Sequence, residues 1–346
     1  MTKVKAYAAP SEGAALIPTI VERRPVGPTD VQFDVLFCGI CHSDIHTVRG
    51  EWGAQAYPLA PGHELAGKVT AIGAQVKKFK VGDHVGVGCM VNACLKCEPC
   101  KTGHEQYCQN GTVFTYGSKD RDGSITQGGY TQMAVVDENF VVHIPKNLPL
   151  DAAAPLLCAG STLYSPLKRW KTGPGKKVAI IGFGGLGHVG LKLAVAMGAE
   201  VSILSHSDKK KDDALRMGAK HFHKMGAKEF EDLKYSYDLI LNTVSATIDT
   251  RAYYGLLKFN GAYVVLGADP SPTVALSTGA GEGLHRIFTF SLISGVQETQ
   301  DMLNFCGEHN VLPDIELIPA SYINEAFDRV VASDVRYRFV IDNSTM

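Results

Sequence analysis

A chain of 346 residues, 45% hydrophobic and 20% charged, is too long for one ordinary core and too apolar to be disordered, so two globular domains or one large one are expected. A formal net charge of −1 provides no basic face for a nucleic acid or a membrane surface, and no apolar run approaches the ~18 residues of a membrane span. The opening Met1-Thr2-Lys3-Val4-Lys5 lacks the apolar core of a signal peptide, so a cytoplasmic protein is expected, one whose nine cysteines are thiols or metal ligands rather than a disulfide scaffold.

Residues 1 to 30 carry Pro10, Gly13, Pro18, Pro25, Gly27 and Pro28, which implies short strands joined by turns. Val31 to Phe37 alternates apolar and polar residues with the period of a half-buried strand. Just beyond it lies Cys41-His42-Ser43-Asp44-Ile45-His46, whose side chains, Ile45 apart, can ligate a metal, pass a proton or accept a hydrogen bond. With Gly62-His63-Glu64 it reads as two sides of a metal pocket. Leu65 to Gly73 and Val81 to Gly88 are Gly-punctuated and rich in β-branched residues, as in a barrel of short twisted strands. Strands are expected again near Tyr130 to Val136 and Val141 to Ile144, and at Asp151 the texture turns Ala-rich and helical. From Lys176 the pattern is strand, Gly-rich turn, helix, strand. Lys177 to Ile181 contains an apolar run, Val189 to Met197 fits a helix stopped by Gly198, and strands follow at Val201 to Leu204, Tyr237 to Leu241 and Ala262 to Leu266. Such alternation implies a doubly wound α/β domain, with Pro270 to Gly283 marking its approximate end.

Cys94-x2-Cys97-x2-Cys100-x7-Cys108 has the composition of a closed, tetrahedral structural zinc site. The iron–sulfur alternative requires its fourth cysteine after three residues and before a proline, whereas here the gap is seven and Gln109 follows. A catalytic zinc keeps three protein ligands and one open position. Cys41 and His63 are two candidates. Cys158, where the barrel-like domain hands over to the nucleotide domain, is the best-placed third, with Cys38, Cys89 and Cys306 as alternatives. A Cys2His set lowers the pKa of a bound alcohol and polarises a bound aldehyde, as hydride transfer needs.

Gly182-Phe183-Gly184-Gly185-Leu186-Gly187 fits the dinucleotide fingerprint and stands between an apolar strand and a helix. At the end of the next strand an NAD enzyme places a carboxylate on the ribose hydroxyls. This chain has Leu204-Ser205-His206-Ser207-Asp208-Lys209-Lys210-Lys211, hydroxyls and lysines that suit a 2′-phosphate, which favours NADP; Asp208 comes a few residues late.

Cys41 to His46, Gly62 to Gly67, the four-cysteine lobe, Leu156-Leu157-Cys158-Ala159-Gly160 and Gly182 to His188 together resemble the zinc-dependent medium-chain alcohol dehydrogenases. Gly86 to Cys89, Tyr164 to Leu167 and Tyr337 to Asp342 look like their cinnamyl alcohol dehydrogenase branch. The resemblance implies a GroES-like β-barrel catalytic domain over residues 1–151 and 286–346, with a structural-zinc lobe at about 89–112, and a Rossmann domain over 152–285. It implies two zinc ions per chain, one on Cys41, His63 and Cys158 with Glu64 nearby, the other on Cys94, Cys97, Cys100 and Cys108. Asp44 would hold His63 in its metal-binding tautomer, and Ser43 and His46 would carry the alcohol proton outward. Cofactor contacts are expected at Thr162, Gly182, Gly184, Gly185, Leu186, Gly187, Ser205, Ser207 and Lys210. Trp52, Cys89, Leu292 and Ile293 would line the pocket for an aromatic or medium aliphatic alcohol or aldehyde. One departure is Phe290 to Gly295, where the branch usually has Gly-Ser-Leu-Ile-Gly-Gly, in a loop bordering the nicotinamide and the subunit contact of a homodimer. The expectation is an NADP(H)-linked alcohol dehydrogenase that reduces aldehydes. An NAD-linked polyol or sugar dehydrogenase and a non-catalytic zinc and dinucleotide binding protein are the alternatives.

Overall fold

The computed structural model describes residues 1–267 and 285–346, so Pro270 to Gly283 lies outside the described residues. The chain forms two compact units, Met1–Ser161 with Ile293–Met346, and Thr162–Leu292. The texture change at Asp151 coincides with the short helix Leu150–Ala153, and the division between units falls later, so Cys158 belongs to the first unit.

The first unit opens with Thr2–Ala8 (β1) antiparallel to Ile17–Arg23 (β2). Asp30–Gly39 (β3), Leu65–Ile72 (β4), His84–Val87 (β5), Met90–Asn92 (β6), Val113–Phe114 (β7), Met133–Asp137 (β8) and Val142–His143 (β9) follow. In β3 the pattern holds as far as Val35, with Val31, Phe33 and Val35 buried and Asp34 exposed; beyond the register shift between Val35 and Phe37, Phe37 is only half-buried and Cys38 is buried instead. β3 ends at Gly39, where a side chain would overlap the Glu64 carboxylate. The expected strand at Val81 to Gly88 is shorter than its β-branched content suggests. Gly82 turns with φ +93°, leaving Val81 exposed, and pairing starts only at His84.

The second unit contains Lys177–Ile181 (β10), Glu200–Ser205 (β11), His221–Lys224 (β12), Tyr237–Asn242 (β13), Leu257–Val265 (β14) and Ile287–Phe290 (β15). All pair in parallel in the order β12-β11-β10-β13-β14-β15, the doubly wound arrangement whose cofactor crevice lies at the carboxyl ends of the strands. Val178 to Ile181 are buried throughout, as a central parallel strand covered on both faces requires. β12 and β15 escape the sequence pattern because they are half-exposed edge strands: His221-Phe222-His223-Lys224 has too little apolar character to read as core.

Ile315–Pro319 (β16) and Arg338–Asp342 (β17) return to the first unit. Its seven-stranded sheet runs β16-β17-β3-β4-β5-β9, with β8 also on β3, and Val31, Phe33, Leu65, Val85, Tyr130 and Phe339 fill its core. This sheet brings Arg338 of β17 to the start of β4, where Glu64 stands.

Candidate active site and dinucleotide cradle

Cys41 precedes the helix His42–Val48 in extended backbone, and Asp44 in the first turn folds back on it, accepting from the Cys41 N–H at 2.9 Å. The same fully buried carboxylate accepts from Tyr130 Oη at 3.3 Å, Gly62 N at 3.1 Å and His63 Nδ1 at 2.9 Å. With Nδ1–H given to Asp44, the ring presents the lone pair of Nε2, which stands 3.3 Å from Cys158 Sγ. The ligating atoms of Cys41, His63, Glu64 and Cys158 all lie within 4.8 Å of one another, and all four residues are buried.

These donors suit a thiophilic cation. The Cys158 thiol donates toward Cys41 and holds Cys41 well below the usual thiol range despite burial. Cys158 is correspondingly pushed up, first by Cys41 and then by Cys89. Two thiols sharing a proton beside an imidazole nitrogen form the soft N/S set that zinc prefers. Glu64 adds a fourth group: one oxygen is ion-paired with buried Arg338, while Oε2 is buried without a hydrogen-bond partner and burial pushes the carboxyl up to about 7 against the pull of Arg338.

Ser43 Oγ lies 3.7 Å from Cys41 Sγ. His46, one turn on, pairs through Nδ1 with Glu51 and stacks on Trp52 at 5.1 Å and 24°, leaving Nε2 without a partner. Exposed His42 stands apart from the cluster. A cavity of about 20 Å³ is lined by Cys89, Leu157, Ser161, Ile293 and Thr299 among others, so two of the four expected pocket residues meet there. Trp52 packs on His46 instead, and Leu292 belongs to the second unit.

In the lobe, Cys94 Sγ is 3.9 Å from Cys100 Sγ, which is 3.4 Å from Cys97 Sγ. These spacings far exceed a disulfide bond of ~2.05 Å and approach the ~3.8 Å edge of a tetrahedron with Zn–S of ~2.3 Å. N–H groups of Lys96, Cys97 and Asn110 reach Cys94 Sγ at 3.3 to 3.4 Å and hold its thiol down to about 5. The lobe also supports the loop that departs from the branch pattern: Glu105 accepts from Val296 N at 3.1 Å, and Gly295 packs on Gly103 too closely for a side chain.

In the second unit β10 runs into Gly182, whose φ of +88° makes the tight turn. A side chain at Gly187 would overlap the Gly182 carbonyl, while at Gly184 it would meet nothing within 4 Å, so an incoming group can approach that backbone. The helix Gly187–Ala196 starts here with its N-terminal dipole toward the turn, as a pyrophosphate requires. Ser205 closes β11, and its Oγ accepts from Ser207 N at 3.3 Å; Lys210 precedes the helix Lys211–Arg216, and Thr162 is buried in the helix Ala159–Arg169.

Sequence reasoning missed Glu51, Arg338 and Tyr130. Glu51 carried a weak signal, an acid one turn beyond His46. Arg338 and Tyr130 carried none, being far from their partners Glu64 and Asp44 in the chain.

Residues 27–146 match the alcohol dehydrogenase GroES-like domain family and residues 185–307 the zinc-binding dehydrogenase family. An NADP-dependent alcohol dehydrogenase C of Mycolicibacterium smegmatis is 57% identical, covering 100% of this chain and 99% of its own. A cinnamyl alcohol dehydrogenase structure from Sorghum bicolor superposes with a TM-score of 0.93 at 42% identity, covering 99% of this chain and 98% of that one. The Helicobacter pylori cinnamyl alcohol dehydrogenase complexed with NADP(H) gives 0.92 at 44% identity, with 99% of both chains covered. Similarity of this extent, spread over both units, places the chain in the zinc-dependent medium-chain alcohol dehydrogenases, in their cinnamyl alcohol dehydrogenase-like branch.

Proposed function

We propose that this alcohol dehydrogenase interconverts a primary alcohol and its aldehyde with NADP(H), acting in cells as a reductase of aromatic or medium aliphatic aldehydes. The observation that carries this reading is the buried convergence of Cys41, His63 and Cys158, with the His63 tautomer fixed by Asp44. Those three residues would hold a catalytic zinc, and Cys94, Cys97, Cys100 and Cys108 a second, structural one. When bound, zinc supplies a Lewis acid for the substrate oxygen and the nicotinamide supplies or takes the hydride.

The remaining work belongs to the chain. Asp44 keeps His63 Nε2 free of a proton so that it can ligate. Glu64, with one oxygen unpartnered beside the ligands, would offer the ion a further carboxylate, and Arg338 keeps that carboxylate tolerable in a buried setting. Ser43, adjoining Cys41, would take the alcohol proton during oxidation and return it during reduction. His46, oriented by Glu51 and Trp52, would pass it toward solvent. In the second unit Gly182, Gly184, Gly185, Leu186 and Gly187 would seat the pyrophosphate. Thr162 would contact the cofactor, and Ser205, Ser207 and Lys210 the adenosine ribose and its 2′-phosphate. NADP is favoured because β11 ends in a serine rather than the carboxylate that an NAD-linked polyol dehydrogenase would place there.

A cytoplasmic homodimer fits this reading. Among the described residues no helix is long and apolar enough to cross a membrane, and the edge strand β15 exposes Ile287 and Phe290. Light scattering should then give twice the chain mass. Turnover is tested with zinc-replete protein and a panel of cinnamaldehyde, benzaldehyde and short aliphatic aldehydes. NADPH oxidation with at least one is expected, and its failure with all would refute the proposal. Replacing Ser205 by Asp should move preference toward NADH, and an unchanged preference would remove this account of selectivity.

A further inference from the structure

We propose that Lys224, at the end of β12, is a specificity-determining residue that binds the 2′-phosphate of NADP(H), released to do so from an ion pair with Asp208. The inference rests on the NADP reading above and deepens it. In a doubly wound sheet the ribose of the adenosine half sits at the carboxyl end of the second strand, here β11, whose last residue is Ser205. The parallel register pairs Ser205 with Lys224, the last residue of β12, and Met225 N donates to Ser205 O at 2.8 Å, so both strands end side by side. Paired neighbours project to the same face of a sheet about 4.8 Å apart, well within the reach of a lysine stem. Lys224 therefore leans over the strand end that would receive the phosphate.

Its partner confirms the direction. Lys224 Nζ lies 3.8 Å from Asp208 Oδ2, on the loop that follows Ser205, and both side chains are more than half exposed. An exposed pair at this distance contributes little to stability, so changing partners costs little. A phosphate carrying nearly two charges outcompetes one carboxylate for an ammonium, and Asp208, otherwise a repulsive neighbour of that phosphate, is drawn toward Lys224 until it arrives. The device accounts for a carboxylate persisting beside a site that favours the phosphorylated cofactor: Lys224 screens it.

The test is equilibrium binding of NADPH, NADH, 2′-AMP and 5′-AMP to wild type and to K224Q, K224R and D208N, with thermal melts to verify folding. Losing one charge-assisted contact to phosphate should weaken NADPH and 2′-AMP about 10- to 100-fold in K224Q. NADH and 5′-AMP should be unchanged, K224R should recover most of the loss, and D208N should tighten NADPH several-fold. Wild type binding 2′-AMP no better than 5′-AMP would overturn the NADP reading itself, and this inference with it. Discrimination by wild type that K224Q retains, or an equal loss of NADH and NADPH in K224Q, would overturn the role of Lys224 alone.

Discussion

Replacing Asp44 by Asn changes no volume and isolates the hydrogen-bond logic beneath the metal pocket. Four donors converge on this carboxylate, His63 Nδ1 and Gly62 N on one oxygen, Cys41 N and Tyr130 Oη on the other. Asn has a single acceptor oxygen, so one pair of donors must face its NH2 group. If the oxygen serves His63, the Cys41 N–H loses its acceptor and Tyr130 must turn away. If it serves Cys41, the NH2 drives His63 to the other tautomer and places a proton on Nε2, which points at Cys158. Each orphaned buried group costs about 1–3 kcal/mol, which gives a loss of roughly 2–4 kcal/mol in unfolding free energy. Metal affinity at this cluster should fall about 10- to 100-fold, as when a ligating histidine loses its supporting carboxylate. Urea unfolding reads the first quantity. Chelator competition on cobalt-substituted protein reads the second, because a four-thiolate lobe and a mixed N/S cluster differ in their visible bands. D44N that unfolds at the wild-type urea concentration and keeps wild-type metal affinity would refute the network as described.

Glu51→Gln should lower kcat about tenfold, less than the ~100-fold or more of losing a general acid–base group outright because His46 itself remains, while the Kd for NADPH is unchanged; steady-state kinetics beside cofactor titration checks it. Arg338→Met leaves the Glu64 carboxyl without its buried partner and should cost about 3–5 kcal/mol, whereas Arg338→Met with Glu64→Gln should recover much of that loss in urea unfolding. Asp238 accepts from Lys258 Nζ and Lys177 N at 2.8 Å each, and these bonds outweigh its partial burial to hold the carboxyl below the ordinary Asp range. A depressed carboxyl stabilises the fold above its unfolded value of ~3.9 and ceases to do so as pH falls through its folded value. Asp238→Asn should therefore cost about 1 kcal/mol or less at pH 7, since solvent screens the pair, and the difference in melting should close as the pH drops below ~4.

Much of this molecule was legible in the sequence where chemistry is local. Four cysteines a few residues apart and a glycine fingerprint after an apolar strand follow from spacing and residue type, the Asp44–His63 partnership follows from the family resemblance, and each takes the expected geometry. Long-range contacts were not legible. Arg338 meets Glu64 because β17 is inserted beside β3, a register no local pattern encodes. Edge strands were the other blind spot. β12 is half exposed and carries two histidines and a lysine, so it presents no run of core residues, yet its pairing with β11 brings Lys224 beside Ser205. Val81 shows the reverse error, a β-branched residue placed in a turn by the glycine after it.

The central claim is that three side chains, Cys41, His63 and Cys158, hold the ion on which turnover depends. Zinc content, NADPH affinity and NADPH oxidation with an aldehyde, measured side by side on wild type and Cys158→Ala, test it most directly. The account predicts two zinc ions and turnover in wild type. In the variant it predicts one tightly held zinc, unaltered NADPH affinity and at least a hundredfold slower oxidation, on the scale of losing electrostatic stabilisation of the reacting oxygen. Turnover surviving in a Cys158→Ala protein that holds a single zinc would contradict it.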